Sequence, residues 1–142
     1  LSSAASDVYK RQYLSACIAR AVADRGYSVS YAPVAELLAA FEADKFRPQP
    51  DVSRTADYFS SDLLILDDLG TEMITAYSTS ALYTLINTRL TRKKATIIST
   101  NCSNEELQKK YTPQILSRIE GEYQTLPFVG RDIRQIKKER EA

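Results

Sequence analysis

Histidine is absent from this sequence of 142 residues, and cysteine occurs only twice, at Cys17 and Cys102. Without histidine the chain cannot form a Ser-His or Cys-His catalytic pair. Neither cysteine lies in a Cys-x-x-Cys motif, so a structural zinc site is not expected. We interpret both thiols as buried core residues of a protein in a reducing cytoplasm.

Long apolar segments are also lacking. No apolar run approaches the roughly 20 residues needed to cross a bilayer, and the N-terminus has no apolar segment typical of a signal peptide. We therefore expect no membrane partner and a cytoplasmic location. The net charge of +1 gives no general affinity for nucleic acid, so any contact with DNA would depend on a local patch.

Helical and strand-like patterns alternate along the chain. Strands are predicted at 28–32, 63–67, 95–100 and 122–129, the second and third as buried strands. Helices are predicted at 13–26, from Pro33, from an Asp51 cap to about Ser60, at 77–93, and from Ser103 with an interruption at Pro113. This alternation predicts an α/β fold in which helices flank a parallel sheet.

Two acids, Asp67 and Asp68, follow the apolar run in LLILDDLG (63–70). In an open parallel sheet, ligands bind beyond the carboxyl ends of the strands, where these acids lie. Mg²⁺ takes one or two carboxylates together with phosphates. The pair therefore has the Walker B arrangement and predicts a magnesium site; the alternative is a pair of solvated acids that begin a turn.

Three further segments carry polar residues that suit a nucleotide. Asn101 ends TIISTN (96–101) at the same sheet edge, where an amide could orient water beside a γ-phosphate, or could be a turn residue. Arg118, in ILSRIEG (115–121), could be an arginine finger or an ordinary surface arginine. In GRDIRQIK (130–137), Arg131 or Arg134 could reach phosphates, or the segment is a charged tail.

The order and spacing of these segments resemble the AAA+ ATPases. Within that family, the sequence resembles the DnaC/IstB branch, which covers bacterial helicase loaders and transposition helpers. The resemblance rests on five segments taken together: LLILDDLG, INTRLTRKK, TIISTN, SRI and G-x-D-x-R. The resemblance extends over residues 13–142. It implies an AAA+ sheet of the P-loop NTPase type, with ATP and Mg²⁺ as cofactors of the intact parent protein.

The resemblance also implies a role for each site residue. Asp67 would coordinate Mg²⁺, and Asp68 would stand where AAA+ proteins commonly place a glutamate that polarises the attacking water. Asn101 would be the sensor 1 residue and Arg118 the arginine finger. Sensor 2 would be Arg134, with Arg131 as the alternative.

A function in DNA replication follows from the same resemblance. The intact parent protein would hydrolyse ATP to ADP and phosphate as a helicase loader, or alternatively as an IstB-like transposition helper. The implied partners are a replicative helicase or a transposase, single-stranded DNA, and further copies of the chain contacted through Arg118. One cationic cluster could contact DNA or form a solvated helix end: Arg89, Arg92, Lys93 and Lys94.

The phosphate loop of the family, G-x-x-x-x-G-K-[ST], is missing before the helix predicted at Tyr13. Arg11 and Gln12 occupy the positions of its last two residues, and the first glycine in the sequence is Gly26. Because glycines let backbone N–H groups surround a phosphate, we expect the chain as it stands to bind ATP poorly or not at all. It would then be a nucleotide-free interaction module. Another doubly wound protein with an acidic pocket, such as a response-regulator-like domain, is a further alternative.

The boundaries follow from this missing loop. We interpret residues 1–12 as a non-native or disordered leader, 13–130 as a partial AAA+ core that lacks the first strand, and 131–142 as a charged tail. Without that strand, the strand at 95–100 should expose an unpaired edge and the one at 122–129 should lose its neighbour. We expect the chain to be marginally stable and prone to aggregation.

Overall fold

A computed structural model describes residues 3–47 and 49–127, with side chains from Tyr9 onward. The described elements in chain order are α1 (Ser3–Asp24), β1 (Val29–Pro33), α2 (Val34–Phe46), α3 (Ala56–Ser60), β2 (Leu63–Leu69), α4 (Ala76–Thr91), β3 (Ala95–Thr100), α5 (Asn104–Lys110) and α6 (Pro113–Glu122). The predicted alternation of helices and strands is confirmed up to α6.

The three strands form a parallel sheet in the order β1-β2-β3. Val29 pairs with Leu63 and Leu63 with Ala95, so each strand begins level with its neighbour. All residues of β2 except Asp68 are buried, as expected for a central parallel strand with helices on both faces. The predicted α/β fold with a parallel sheet is confirmed.

One face of the sheet forms the main core. The β2 residues Leu64 and Leu66 point to this face because side chains alternate along a strand, and Leu69 joins them because the strand is irregular between Leu66 and Leu69. Helices α2, α4, α5 and α6 cover them with apolar side chains, among them Leu37, Leu82, Leu85, Ile86, Leu107 and Ile115. The helical stripe predicted for residues 77–93 therefore faces the sheet.

Helix α1 begins at Ser3, ten residues before the predicted start at Tyr13, and packs against β1 and β2. The segment before Tyr13 contains Ala, Lys, Arg and Gln, which favour helix, and extending an existing helix is easier than nucleating one. That residues 1–12 are non-native remains a prediction.

The predicted cap of the third helix is wrong. Asp51 lies in a turn with φ 62°, and α3 begins at Ala56. A carboxylate from α2 binds the residues just before α3 instead. Asp44 accepts hydrogen bonds from the backbone N–H of Arg54 at 3.0 Å and from that of Thr55 at 3.1 Å. These hydrogen bonds lower the pKa of Asp44, and the bond from the Arg54 backbone has the largest effect.

Strand β3 is half-buried rather than buried as predicted, because it lies at the edge of the described sheet. A groove of about 390 Å³ lies along its free side, with walls that include Leu14 and Ile18 of α1 and Ile119 of α6. The expected unpaired edge is thus present among the described residues.

The predicted strand at 122–129 is wrong over its described part. Helix α6 continues to Glu122, and residues 123–127 form no strand. The described sheet has no strand on the free side of β3 with which these residues could pair, and Pro127 cannot donate a backbone hydrogen bond. Residues 128–129 lie outside the described residues.

The two cysteines differ from their expected burial. Cys17 is exposed on α1, and Cys102 is half-buried after β3. Cys17 is exposed because it lies on the face of α1 turned away from the sheet. Among the described helices, none is both long enough and apolar enough to span a membrane.

Candidate functional site

Asp67 lies at the carboxyl end of β2 with only 7% of its surface exposed. Its Oδ2 accepts a hydrogen bond from the Tyr31 hydroxyl at 2.6 Å, and its Oδ1 accepts one from the Ser99 hydroxyl. The parallel register pairs Pro33 with Asp67, so Tyr31, two residues earlier on β1, shares a face with the acid. Residues from all three strands therefore meet at this carboxylate.

A local irregularity follows Asp67. Asp68 has φ 60°, a left-handed conformation that is uncommon for residues other than glycine, and the pairing of β2 with β3 shifts between Leu66 and Leu69. The backbone N–H of Asp68 donates to the Ser99 hydroxyl oxygen at 3.2 Å. Ser99 thus links the backbone of one acid to the carboxylate of the other.

The Tyr31 hydroxyl stays protonated near neutral pH. Its hydrogen bond to Asp67, together with partial burial and the nearby negative charges, raises the pKa of Tyr31 to about 12. A protonated hydroxyl beside a carboxylate acts as a donor, so the direction of this hydrogen bond is fixed.

The turn after β2 is held by the end of α5. Lys110 Nζ donates to the Gly70 carbonyl oxygen at 2.8 Å, the Gly70 N–H donates to Glu72 Oε2 at 2.9 Å, and the Tyr111 hydroxyl donates to Glu72 Oε1. Gly70 has φ 101°, and a Cβ atom there would collide with the Cys102 sulfur. The positive φ and the close sulfur both favour glycine at this position.

Asn101 is exposed directly after β3, at the same edge of the sheet as the acids. The guanidinium of Arg11, from α1, donates to its side-chain oxygen. Arg11 occupies the position of the phosphate-loop lysine in the sequence, and the structure brings it to Asn101. Residue spacing alone gave no signal for this contact.

The arginines predicted for the site are not gathered around the acids. Arg118 is exposed on α6 and forms no ion pair with Asp67 or Asp68. Arg131 and Arg134 lie outside the described residues. The described site therefore consists of Asp67, Asp68, Ser99 and Asn101, with Tyr31 and Arg11 as contacts that the sequence did not indicate.

The interpretation of Arg89 as part of a solvated or DNA-binding cluster is wrong. Arg89 is fully buried: its Nε donates to the Thr96 hydroxyl at 2.9 Å, its Nη1 to the Tyr58 carbonyl at 2.9 Å and its Nη2 to the Ala95 carbonyl at 2.7 Å. Arg89 follows Leu82, Leu85 and Ile86 at helical spacing, so it faces the core.

The remaining cations of this cluster lie at the surface. Arg92 and Lys93 are exposed beyond the end of α4. Lys94 Nζ lies 3.4 Å from Asp62 Oδ1 in an ion pair that is partly exposed. Because Arg89 is buried, the cationic surface available to DNA at this helix end is small.

The donor set at Asp67 fits Mg²⁺ in combination with phosphate. Each carboxylate oxygen accepts one hydrogen bond, whereas a carboxylate offers about four acceptor positions, so capacity remains. No cluster of three metal-ligating side chains occurs within residues 3–47 and 49–127. A cation here would take its other ligands from phosphate or water, which Mg²⁺ commonly does.

A phosphate cradle does not fit the described residues. The sequence has no glycine before Gly26, and helix α1 occupies residues 3–24 without a glycine-rich turn. Backbone N–H groups inside a helix are already bonded, so they cannot surround a phosphate. The described residues thus offer carboxylates at the sheet edge but no backbone cradle for a phosphate.

A family model described as IstB-like ATP binding protein matches residues 7–140. No curated protein matches the chain. Solved structures that it resembles include the DnaC helicase loader, with TM-score 0.63 and 20% identity over 72% of this chain and 62% of that one. The AMPPCP-bound DnaA from Aquifex aeolicus has TM-score 0.63 and 25% identity over 85% of this chain and 38% of that one.

A further DnaA structure, bound to AMPPCP and single-stranded DNA, has TM-score 0.63 and 23% identity over 83% of this chain and 38% of that one. The chain therefore spans less than two thirds of the length of each of these proteins. This structural likeness, together with the parallel sheet of the chain, agrees with the AAA+ fold expected here. Since the family match extends over nearly all of the sequence, the chain belongs to the family of IstB-like ATP-binding proteins.

Proposed function

We propose that the intact parent protein is an ATP-hydrolysing accessory factor of DNA replication, of the helicase-loader type, in which Asp67 coordinates Mg²⁺. The observation that carries the proposal is the Asp67 carboxylate: it is buried at the carboxyl end of the central strand, oriented from both sides, and has acceptor capacity left. A buried carboxylate without a cationic partner is costly unless a cation or water compensates for it.

The site residues would divide the reaction between them. Bound Mg²⁺ and ATP would supply the metal and the phosphoryl group that water attacks, with ADP as the leaving group. Asp68 would orient that water, although its side chain is one methylene shorter than the glutamate usual at this position. Asn101 would hold the water or the γ-phosphate once its oxygen is released from Arg11.

Arginines would complete the site. Arg118, exposed on α6, is free of the folded core and would stabilise transition-state charge in a neighbouring copy of the chain. Arg134, or alternatively Arg131, would contact the phosphates from the C-terminal segment. These assignments rest on the family relationship and on the exposure of Arg118.

The test is phosphate release from ATP and Mg²⁺ by the intact parent protein with its phosphate loop, beside Asp67→Asn and the matched control Asp51→Asn. Asp51 is exposed in a turn with positive φ, which asparagine also tolerates, so its change should leave the rate unaltered. We expect Asp67→Asn to lower the rate at least about 100-fold, the scale at which a preorganised charge contributes to catalysis. Equal rates for the two variants would refute the assignment of Asp67.

A nucleotide-free interaction module is the second candidate. The absence of any glycine before Gly26, and the continuous helix α1 in that region, favour it. Millimolar ATP with Mg²⁺ should then leave the thermal unfolding temperature unchanged, because only a ligand that binds the folded state raises it. A rise that Asp67→Asn removes would favour the ATPase.

The partners belong to the same proposal. A replicative helicase is the partner suggested by likeness to the DnaC helicase loader, and single-stranded DNA by likeness to the DNA-bound DnaA; a transposase is the alternative for an IstB-like helper. Self-association through Arg118 can be tested by sedimentation in the presence of ATP. Arg118→Ala should reduce it without loss of folding, since the side chain is exposed.

A further inference from the structure

The Tyr31 hydroxyl contacts the Asp67 carboxylate even though more than half of the Tyr31 side chain is exposed. Its surface is 56% exposed, while its oxygen lies 2.6 Å from Asp67 Oδ2. An exposed tyrosine normally directs its hydroxyl to water, so this contact is not a by-product of burying the ring.

Two hydroxyls from the strands on either side of β2 bind the Asp67 carboxylate. Tyr31 on β1 contacts Oδ2 and Ser99 on β3 contacts Oδ1, so rotation of the carboxylate would break both hydrogen bonds. Ser99 also accepts a hydrogen bond from the Asp68 backbone, which ties it to the strand geometry. Among the described residues, the Tyr31 hydroxyl forms a hydrogen bond with the Asp67 carboxylate alone.

We propose that Tyr31 is a positioning residue that orients the Asp67 carboxylate for a divalent cation. The inference rests on the proposed function, in which Asp67 is the metal ligand. Each carboxylate oxygen has two acceptor positions, so the Tyr31 hydroxyl leaves one for the metal on Oδ2. Residues that hold a metal ligand in place commonly change metal affinity 10- to 100-fold when altered.

The experiment measures Mn²⁺ affinity in the full chain, from the paramagnetic broadening of the Asp68 and Ser99 amide signals. Tyr31→Phe removes the hydroxyl and keeps the ring, and we expect it to weaken Mn²⁺ binding about tenfold. Tyr27→Phe is the matched control. Tyr27 is 57% exposed and its hydroxyl makes no hydrogen bond within the part of the chain that the structure describes, so affinity should not change.

A parallel urea titration separates positioning from folding. The midpoint of urea unfolding should be nearly the same for Tyr31→Phe as for the native chain, since the variant loses one partly exposed hydrogen bond. A tenfold loss of Mn²⁺ affinity at unchanged stability is a result that a purely structural role for the hydroxyl would not produce.

Asp67→Asn distinguishes the failure of this inference from failure of the proposed function. If Asp67→Asn abolishes the broadening while Tyr31→Phe binds Mn²⁺ as well as, or more tightly than, the native chain, the role of Tyr31 is overturned and that of Asp67 stands. If the native chain shows no broadening that depends on Asp67, the metal role of Asp67 fails, and the inference fails with it.

Discussion

Arg89 and Asp67 are charged residues buried at opposite ends of one sheet, and their surroundings differ. Arg89 lies at the amino end of β3, is fully buried, and uses all three guanidinium nitrogens on backbone carbonyls and one hydroxyl. Asp67 lies at the carboxyl end of β2, retains slight exposure, and uses about half of its acceptor capacity on two hydroxyls.

The difference separates a structural charge from a candidate ligand site. Arg89 joins α3, α4 and β3, and a ligand would have to displace one of those contacts to reach it. Asp67 can accept a cation without losing either of its hydrogen bonds. Burial alone therefore does not identify a functional charge, and the acceptor capacity left at Asp67 is the reason to test it as a ligand site.

The largest effect is expected at Arg89. Arg89→Ala leaves several buried acceptors without a donor and opens a cavity, so the free energy of unfolding should fall by about 4 kcal/mol. Urea denaturation measures this directly. Arg92→Ala, at an exposed cation of the same helix end, is the control and should change stability by less than about 0.5 kcal/mol. Similar small changes in both variants would mean that water replaces the guanidinium.

The turn beside Asp67 provides the second prediction. Gly70→Ala introduces both a positive φ for alanine and a collision with Cys102, and should lower the free energy of unfolding by about 3 kcal/mol. Gly26→Ala is the control, because Gly26 also has positive φ (88°) but open space around it, and should cost about 1 kcal/mol.

The double variant Gly70→Ala with Cys102→Ala isolates the collision. Removing the sulfur should restore part of the stability lost in Gly70→Ala, leaving about the cost seen at Gly26. Additive losses in the double variant would show that the turn shifts away from Cys102 instead.

The smallest effect on stability is expected at Asp67. Asp67→Asn keeps the side-chain volume and an oxygen acceptor, and it removes a buried charge, so the free energy of unfolding should change by no more than about 1 kcal/mol. The same urea titration applies, with Arg89→Ala as the reference. A loss as large as that at Arg89 would mean that the Asp67 carboxylate is itself a structural element of the sheet.

Much of the sheet could be predicted from the sequence, because LLILD and ATIIST have the apolar continuity of parallel strands. The acids at the carboxyl end followed from the same pattern. Tyr31 did not, since its role depends on the register of β1 against β2, which pairs Pro33 with Asp67. Once that register is known, the alternation of strand side chains is sufficient to find it.

Arg89 was misinterpreted although a signal was present. Arg89 continues the apolar stripe of Leu82, Leu85 and Ile86 at helical spacing, but the adjacent Arg92 and Lys93 made the segment resemble a solvated helix end. The strand predicted at 122–129 failed for another reason: a local pattern does not show whether a neighbouring strand is available. Its described residues continue α6 and then follow no regular structure.

The hydrogen bonds at Asp67 connect distant parts of the chain. Tyr31 and Asp67 are 36 residues apart, and Asp67 and Ser99 are 32 apart. Chains dominated by such non-local pairings fold slowly, because loop closure comes before any contact is gained. The carboxylate therefore acquires both hydroxyl partners only when all three strands have docked, and the Tyr31 signal can serve as a kinetic probe of the pairing of β1 with β2.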